Sequence, residues 1–354
     1  MKILLEAMHG MGDVICMIPK FECIAQKYPQ AEFTILFNNK ISEEVVKASN
    51  FKNFRSIIIN AHNNRLSAFK QCLQLRKENY DLAFFSPNTP TKKYNLFVRI
   101  IQPKKCVSIQ DKGLYYNLIQ DKYHFVDANL LSLGINEINR DEWQPRIFPD
   151  SSVINKLVIK YHFNITTKYI GISVGTGDVS YKNQVIRKNP IHTRGWGDDK
   201  EHVTNMCSLI KNILEEGYNV VFFGGKLEEH IIDCFPTVLL KEKRIINLVG
   251  KLTMTESIAA ASMCSVMVGV DTGMQHVSDA LGKPTVSIFG PTNPLTHGAY
   301  SSKAVFAETN APCKYCYGTS NYVNCNDRKC LSNIKEVDVM NLIKKQLEMY
   351  YEIK

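Results

Sequence analysis

The chain has 354 residues, 45% of them hydrophobic and 22% charged, with a net charge of +9. That balance can bury a large core and excludes wholesale disorder, and no apolar run approaches the roughly 18 residues needed to span a bilayer. Glu6 and Asp13 interrupt the N-terminal apolar segment, which argues against a signal peptide and for a cytoplasmic protein.

Strand and helix patterns alternate from the first residue. Residues 2–7 read as a buried strand, and 13–28 as a helix with Val14, Ile18, Phe21 and Ala25 on one stripe. Strands follow at 32–37, 55–59 and 80–86, with helices at 42–48 and 66–79 between them. A short strand at 106–108 and a helix at 124–133, closed by Gly134, complete the first half. Trp143, Pro145, Pro149 and the Ser151–Ser152 pair mark a linker. After a helix at 152–161, strands are expected at 169–174, 219–223, 244–248, 265–270 and 285–289. Helices are expected at 200–216, 227–234, 254–263, 274–281 and 337–351. Such alternation predicts an α/β chain of two tandem doubly wound, Rossmann-like domains facing a cleft, residues 1–150 and 151–354.

The positive charge is shared between the halves. Lys and Arg exceed Asp and Glu by 20 to 15 in residues 1–150 and by 23 to 19 in the remainder. A mild affinity for anionic partners or an anionic membrane surface follows. One stretch, 86–110, carries Lys92, Lys93, Arg99, Lys104 and Lys105 with no acid. Either it is a solvated face or it meets an acidic acceptor.

Seven of the eleven cysteines lie scattered in apolar stretches and read as small core residues. Cys313, Cys316, Cys325 and Cys330 crowd into one segment. Without an export signal, a metal site is favoured there over a disulfide framework. Four thiolates suit structural Zn²⁺ or iron and leave no coordination position open. A four-Cys module also raises nucleic acid as a partner. The dispersed charge argues against it, as does a loop whose cations are only Lys314, Arg328 and Lys329.

Strand 2–7 leads into Gly10-Met11-Gly12-Asp13, which lacks the third glycine of a dinucleotide fingerprint because Ile15 stands in its place. Asp13 would compete with a pyrophosphate for the helix's free N–H groups. It is therefore either an ordinary N-terminal acid or a general base. The second half offers a better anion site. In Asp271-Thr272-Gly273-Met274-Gln275-His276, Thr272 can cap the helix, Gly273 lets a ligand approach the backbone, and His276 can reach the same anion. An aspartic protease is excluded, since no second Asp-Thr-Gly or Asp-Ser-Gly exists to complete a dyad. Gly175-Thr176-Gly177, Arg194 and Gly224-Gly225 add backbone donors, a hydroxyl and a guanidinium. Together these groups fit a diphosphate.

At this point the sequence resembles the heptosyltransferase family of glycosyltransferases, glycosyltransferase family 9, of two-domain GT-B fold. The residues that carry the likeness are 1–5 with Gly12-Asp13, 172–177, Asn247-Leu248-Val249-Gly250-Lys251, and above all 271–276 with 280–285 and 289–292. The resemblance implies heptose transfer from ADP-heptose to an acidic lipopolysaccharide inner-core glycolipid, at or near the inner membrane face. It implies Asp13 as general base. It implies Thr176, Gly177, Thr272, Gly273 and His276 as diphosphate ligands, Asp271 as support for the ribose or its loop, and Leu252 beside the adenine. Arg194 stands where the family often has Lys, and keeps the charge for the diphosphate. No Asp-x-Asp pair occurs, so no catalytic cofactor or bridging divalent ion is expected. One displacement would then invert the anomeric centre. A different nucleotide sugar or a protein acceptor is the alternative within the same fold.

Overall fold

Short strands with apolar side chains on both faces and helices with one apolar stripe assemble here into two parallel sheets. The computed structural model describes residues 1–59, 65–108, 122–175, 195–197, 199–317, 319–323, 325 and 327–351. Contacts between residues divide the chain into two units, Met1–Ile147 and Phe148–Lys354.

The first unit runs β1 (Lys2–Ala7), α1 (Met11–Lys27), β2 (Glu32–Phe37), α2 (Lys40–Lys47), β3 (Phe54–Ile58), α3 (Arg65–Arg76), β4 (Leu82–Phe84), α4 (Thr91–Ile101), β5 (Lys105–Val107) and α5 (Phe125–Leu131). Its five strands lie in the order β3-β2-β1-β4-β5, all parallel. Central β1 is buried from Ile3 to Ala7, as expected of a strand covered on both faces. α4 occupies the basic stretch left without an element by the sequence reading. Tyr94, Phe97 and Ile101 form its buried stripe, and the cations hid that period. His124 caps α5 by accepting from Val126 N–H at 3.1 Å.

The second unit opens with α6 (Ser151–Tyr161), β6 (Tyr169–Ser173), α7 (Asp199–Glu215) and β7 (Asn219–Phe223). A 3-10 turn at Lys226–Glu228 precedes α8 (Glu229–Asp233), α9 (Thr237–Leu240), β8 (Ile245–Asn247), α10 (Met254–Ser262) and β9 (Val266–Val270). Next come α11 (Gly273–Ala280), β10 (Thr285–Ile288), α12 (Pro294–His297), β11 (Ala304–Ala307), α13 (Ser320–Val323), α14 (Lys329–Ser332) and α15 (Glu336–Tyr351). Six parallel strands follow the order β11-β10-β9-β6-β7-β8. α15 buries Val339, Ile343 and Leu347 at helical spacing in the same core as the fully buried Trp196. The Trp196 indole N–H donates to the Ile334 carbonyl at 2.9 Å, which satisfies its one polar atom. Of the scattered cysteines, Cys234 departs from expectation: it is exposed, and its thiol donates to the His230 carbonyl.

In each sheet the connections reverse direction at one place, and open α/β sheets bind ligands beside the carboxyl ends of the strands there. In the first unit the switch falls between β1 and β4, in the second between β6 and β9.

Candidate active site

At the second unit's switch point, the ends of β6 and β9 bring Ser173 and Thr272 together, with their hydroxyls 3.1 Å apart. Thr272 is the N-cap of α11 by position, yet its side chain makes no capping bond. The hydroxyl expected to cap the helix faces β6 instead. The N-terminal amides of α11 thus keep no side-chain cap, and no acid stands in its first turn. Free amides and a positive helix end are what an anion needs. Asp271 is buried and accepts from the Thr292 hydroxyl at 2.9 Å, tying the end of β9 to the loop after β10. Gln275 accepts from Ser287 at 3.0 Å, while its buried Nε2 has no partner. His276 is half-buried one turn into the helix. Thr176, Gly177, Arg194 and the 179–193 stretch lie outside the described residues.

Strand ends on the other side of β6 extend this edge. The Glu228 carboxylate accepts from Gly225 N–H at 2.7 Å. Gly250 holds φ +72°, in the left-handed region that favours glycine, and its Cα faces the Glu229 carboxylate. Leu252 is half-buried in the turn before α10, whose N-cap Thr253 and Glu256 form a capping box. Two acids beside a glycine-lined strand edge can accept from ribose hydroxyls. The sequence reading overlooked them, although glycines flanking an acidic pair were the available signal.

In the first unit, β1 ends in a buried carboxylate. Glu6 is 1% exposed, yet it gathers donors from both sides of the switch point. It accepts from Met8 N–H at 3.1 Å, the Thr89 hydroxyl at 2.7 Å and the Lys93 ammonium at 3.1 Å. His9 Nε2 lies 3.1 Å from its second oxygen. Burial alone would push its pKa up, but His9, Lys93 and Thr89 hold it well below the usual carboxylate range. Beneath it Lys20, 1% exposed, donates to the Phe85 carbonyl at 2.7 Å. Burial lowers the Lys20 pKa to about 7, against the pull of Glu6. This polar knot fixes the loop that carries Gly10, the N-cap of α1, and Asp13 in its first turn.

Lys92 and Lys93 part company. Lys92 is exposed, whereas Lys93 is ion-paired with Glu6 and also donates to the Met8 carbonyl at 3.3 Å. Lys93 is therefore not the free surface cation that the basic run implied. The run gave no sign of an acid waiting inside β1.

The four clustered cysteines pack at the end of β10. Tyr315 and Tyr317 N–H groups donate to the Gly290 and Pro291 carbonyls, and a Cβ on Gly290 would press on Leu331 and Cys330. Burial, and then Cys313, Cys316 and Cys325, push the Cys330 thiol up to about 12, so all four thiols lie within electrostatic reach. The donor chemistry suits a tetrahedral ion. Among the described residues, however, no three His, Cys, Asp or Glu side chains close into a set that could hold one.

Residues 190–326 match the model of glycosyltransferase family 9 (heptosyltransferase). The lipooligosaccharide heptosyltransferase 2 of Campylobacter jejuni is 23% identical over 98% of this chain and 99% of that protein. The chain is similar to glycosyltransferase family 9. It is a glycosyltransferase, and its two Rossmann-like units recur in solved members of the family. A glycosyltransferase family 9 structure from Veillonella parvula superposes with a TM-score of 0.74 at 20% identity, over 98% of this chain and 97% of that one. The E. coli ADP-heptose lps heptosyltransferase II superposes at 0.72 and 18% identity, over 99% of both chains.

Proposed function

We propose that this glycosyltransferase is a heptosyltransferase of lipopolysaccharide biosynthesis that transfers heptose from ADP-heptose to an acidic inner-core glycolipid, with inversion. The observation that carries the reading is the uncapped, acid-free start of α11 at a strand switch point, built for an anionic leaving group. The printed activities of its relatives support the sugar: a lipooligosaccharide heptosyltransferase in sequence, and an ADP-heptose heptosyltransferase among the structures of the same fold.

In this reading residues 1–150 bind the acceptor and 151–354 the donor. Asp13 takes the proton of the acceptor hydroxyl while that oxygen attacks the anomeric carbon. The bond from that carbon to the diphosphate oxygen breaks, and ADP leaves. The backbone at Thr272 and Gly273, with His276, Thr176, Gly177 and Arg194, meets the negative charge that grows on the leaving oxygen. Asp271 holds the loop, Leu252 lines the adenine, and Glu228 or Glu229 accepts from the ribose. Lys92 meets the acidic acceptor. No Asp-x-Asp pair exists to hold a bridging divalent ion, so the helix end and cations carry that role.

Calorimetric titration tests the donor site. ADP should bind more tightly than UDP, Gly273→Val should abolish binding without unfolding, and His276→Ala should weaken it by about 1–3 kcal/mol. Unchanged ADP affinity in both variants would move the donor elsewhere. To hold a structural zinc or iron, Cys313, Cys316, Cys325 and Cys330 would have to draw together, since no three of them close into such a set among the described residues. The metal content of the purified chain, compared with a Cys313→Ser, Cys316→Ser variant, decides that point.

A further inference from the structure

α3 carries two apolar stripes, roughly 130° apart at about 100° per residue. Ala68, Cys72 and Leu75 are buried against the first sheet. Beside that buried stripe Leu66, Phe69 and Leu73 form a second at i, i+3 and i+7, exposed by 76%, 50% and 39%. A soluble helix ordinarily buries its apolar arc, whereas here half of that arc is left exposed. The neighbouring α4 adds Leu96, 58% exposed. Cations border these side chains. Lys70 and Arg76 flank the α3 stripe, and Lys92 and Arg99 share the exposed face of α4 with Leu96. Neither helix contains an acid.

We infer that the outer face of α3 and α4 docks the enzyme on an anionic phospholipid bilayer, its leucines and phenylalanine entering the interface and its lysines and arginines meeting the headgroups. An apolar stripe edged by Lys and Arg is the pattern of a helix lying in the membrane plane. The long aliphatic stems of the cations can cover the apolar boundary while their charged ends stay at headgroup level. A second copy of the chain suits this face poorly. In a two-fold pairing the same patch meets itself, so these acid-free helices would bring like charges together. An anionic bilayer supplies the missing negative charge. The inference deepens the proposal of a glycolipid acceptor, because it places the acceptor-binding unit on the surface where such a lipid resides. It rests on that reading only for its purpose.

Vesicle co-sedimentation tests it without using turnover. The purified chain should bind phosphatidylglycerol–phosphatidylcholine vesicles at least about tenfold more strongly than phosphatidylcholine alone, and 1 M salt should weaken that binding. A Leu66→Gln, Phe69→Gln, Leu73→Gln variant should lose binding at least about tenfold, and so should Lys70→Glu, Arg76→Glu. Both should keep the parent's melting temperature and ADP affinity. Failure of the parent to bind, or parent-like binding by the folded variants, overturns the inference. A parent dimer that the glutamine variant converts to monomer in sedimentation velocity also overturns it, in favour of a second copy. The ADP titration reports separately on the donor site, so either claim can fail alone.

Discussion

Lys20 offers a quantitative test of the polar knot beneath Asp13. Its ammonium is fully buried, and burial lowers its pKa from 10.5 to about 7. At about 1.36 kcal/mol per unit, keeping it charged in the folded chain costs about 5 kcal/mol. Lys20→Met removes that penalty and fits an unbranched apolar side chain of similar length. That penalty is already net of the attraction to Glu6, so the variant loses in addition only the hydrogen bond to the Phe85 carbonyl, about 1.5–3 kcal/mol. A net gain of about 2–3 kcal/mol remains at pH 6. Its pH dependence has a definite sign. Below pH 7, Lys20 is protonated in both folded and unfolded chains, so the penalty is full. Between about 7 and 10.5 the folded chain sheds the proton that the unfolded chain keeps, and the penalty shrinks. Urea unfolding at pH 6 and pH 9 measures this. Trp143 can report on the first unit in a background carrying Trp196→Phe. A variant less stable than its parent at pH 6, or a difference that fails to narrow at pH 9, would refute the reasoning.

Asp13→Asn should leave ADP affinity intact and lower turnover at least about a hundredfold, whereas near-normal turnover would remove Asp13 as the base. Lys92→Ala should raise the acceptor KM, most clearly at low salt, without changing the melting temperature. Lys93→Ala should instead destabilise the first unit, because it leaves buried Glu6 short of a cation; equal effects from both would contradict the separation of their roles. Activity should persist in excess EDTA over the time of an assay, and a prompt loss restored by Mg²⁺ or Mn²⁺ would show that an ion meets the leaving group.

Much of this architecture was legible because parallel strands buried on both faces leave long apolar runs. β1, β2, β6, β7, β9 and β10 fall on such runs. α4 was illegible because Lys92, Lys93 and Arg99 mask its three-residue apolar stripe. β11 is an edge strand of four residues, too short for its pattern to stand out. The Asp271–His276 turn could be read locally, since cap, glycine and helix are adjacent in sequence. Thr272 shows the limit of that reading, because its hydroxyl turns to Ser173, which is 99 residues away. Glu6 could be seen as an acid inside an apolar strand. Its partners Thr89 and Lys93 stand more than 80 residues later, and only the parallel pairing of β1 with β4 brings them near.

The transfer reaction itself is the most direct test. The purified chain would be incubated with ADP-heptose and an inner-core glycolipid that lacks its acceptor-position heptose, and the product would be weighed by mass spectrometry while ADP release is followed. The expected result is one added heptose per acceptor, ADP release that depends on the acceptor, the opposite anomeric configuration to the donor, and no product from UDP-sugars. Equal turnover with a UDP-sugar, or retention of configuration, would contradict it.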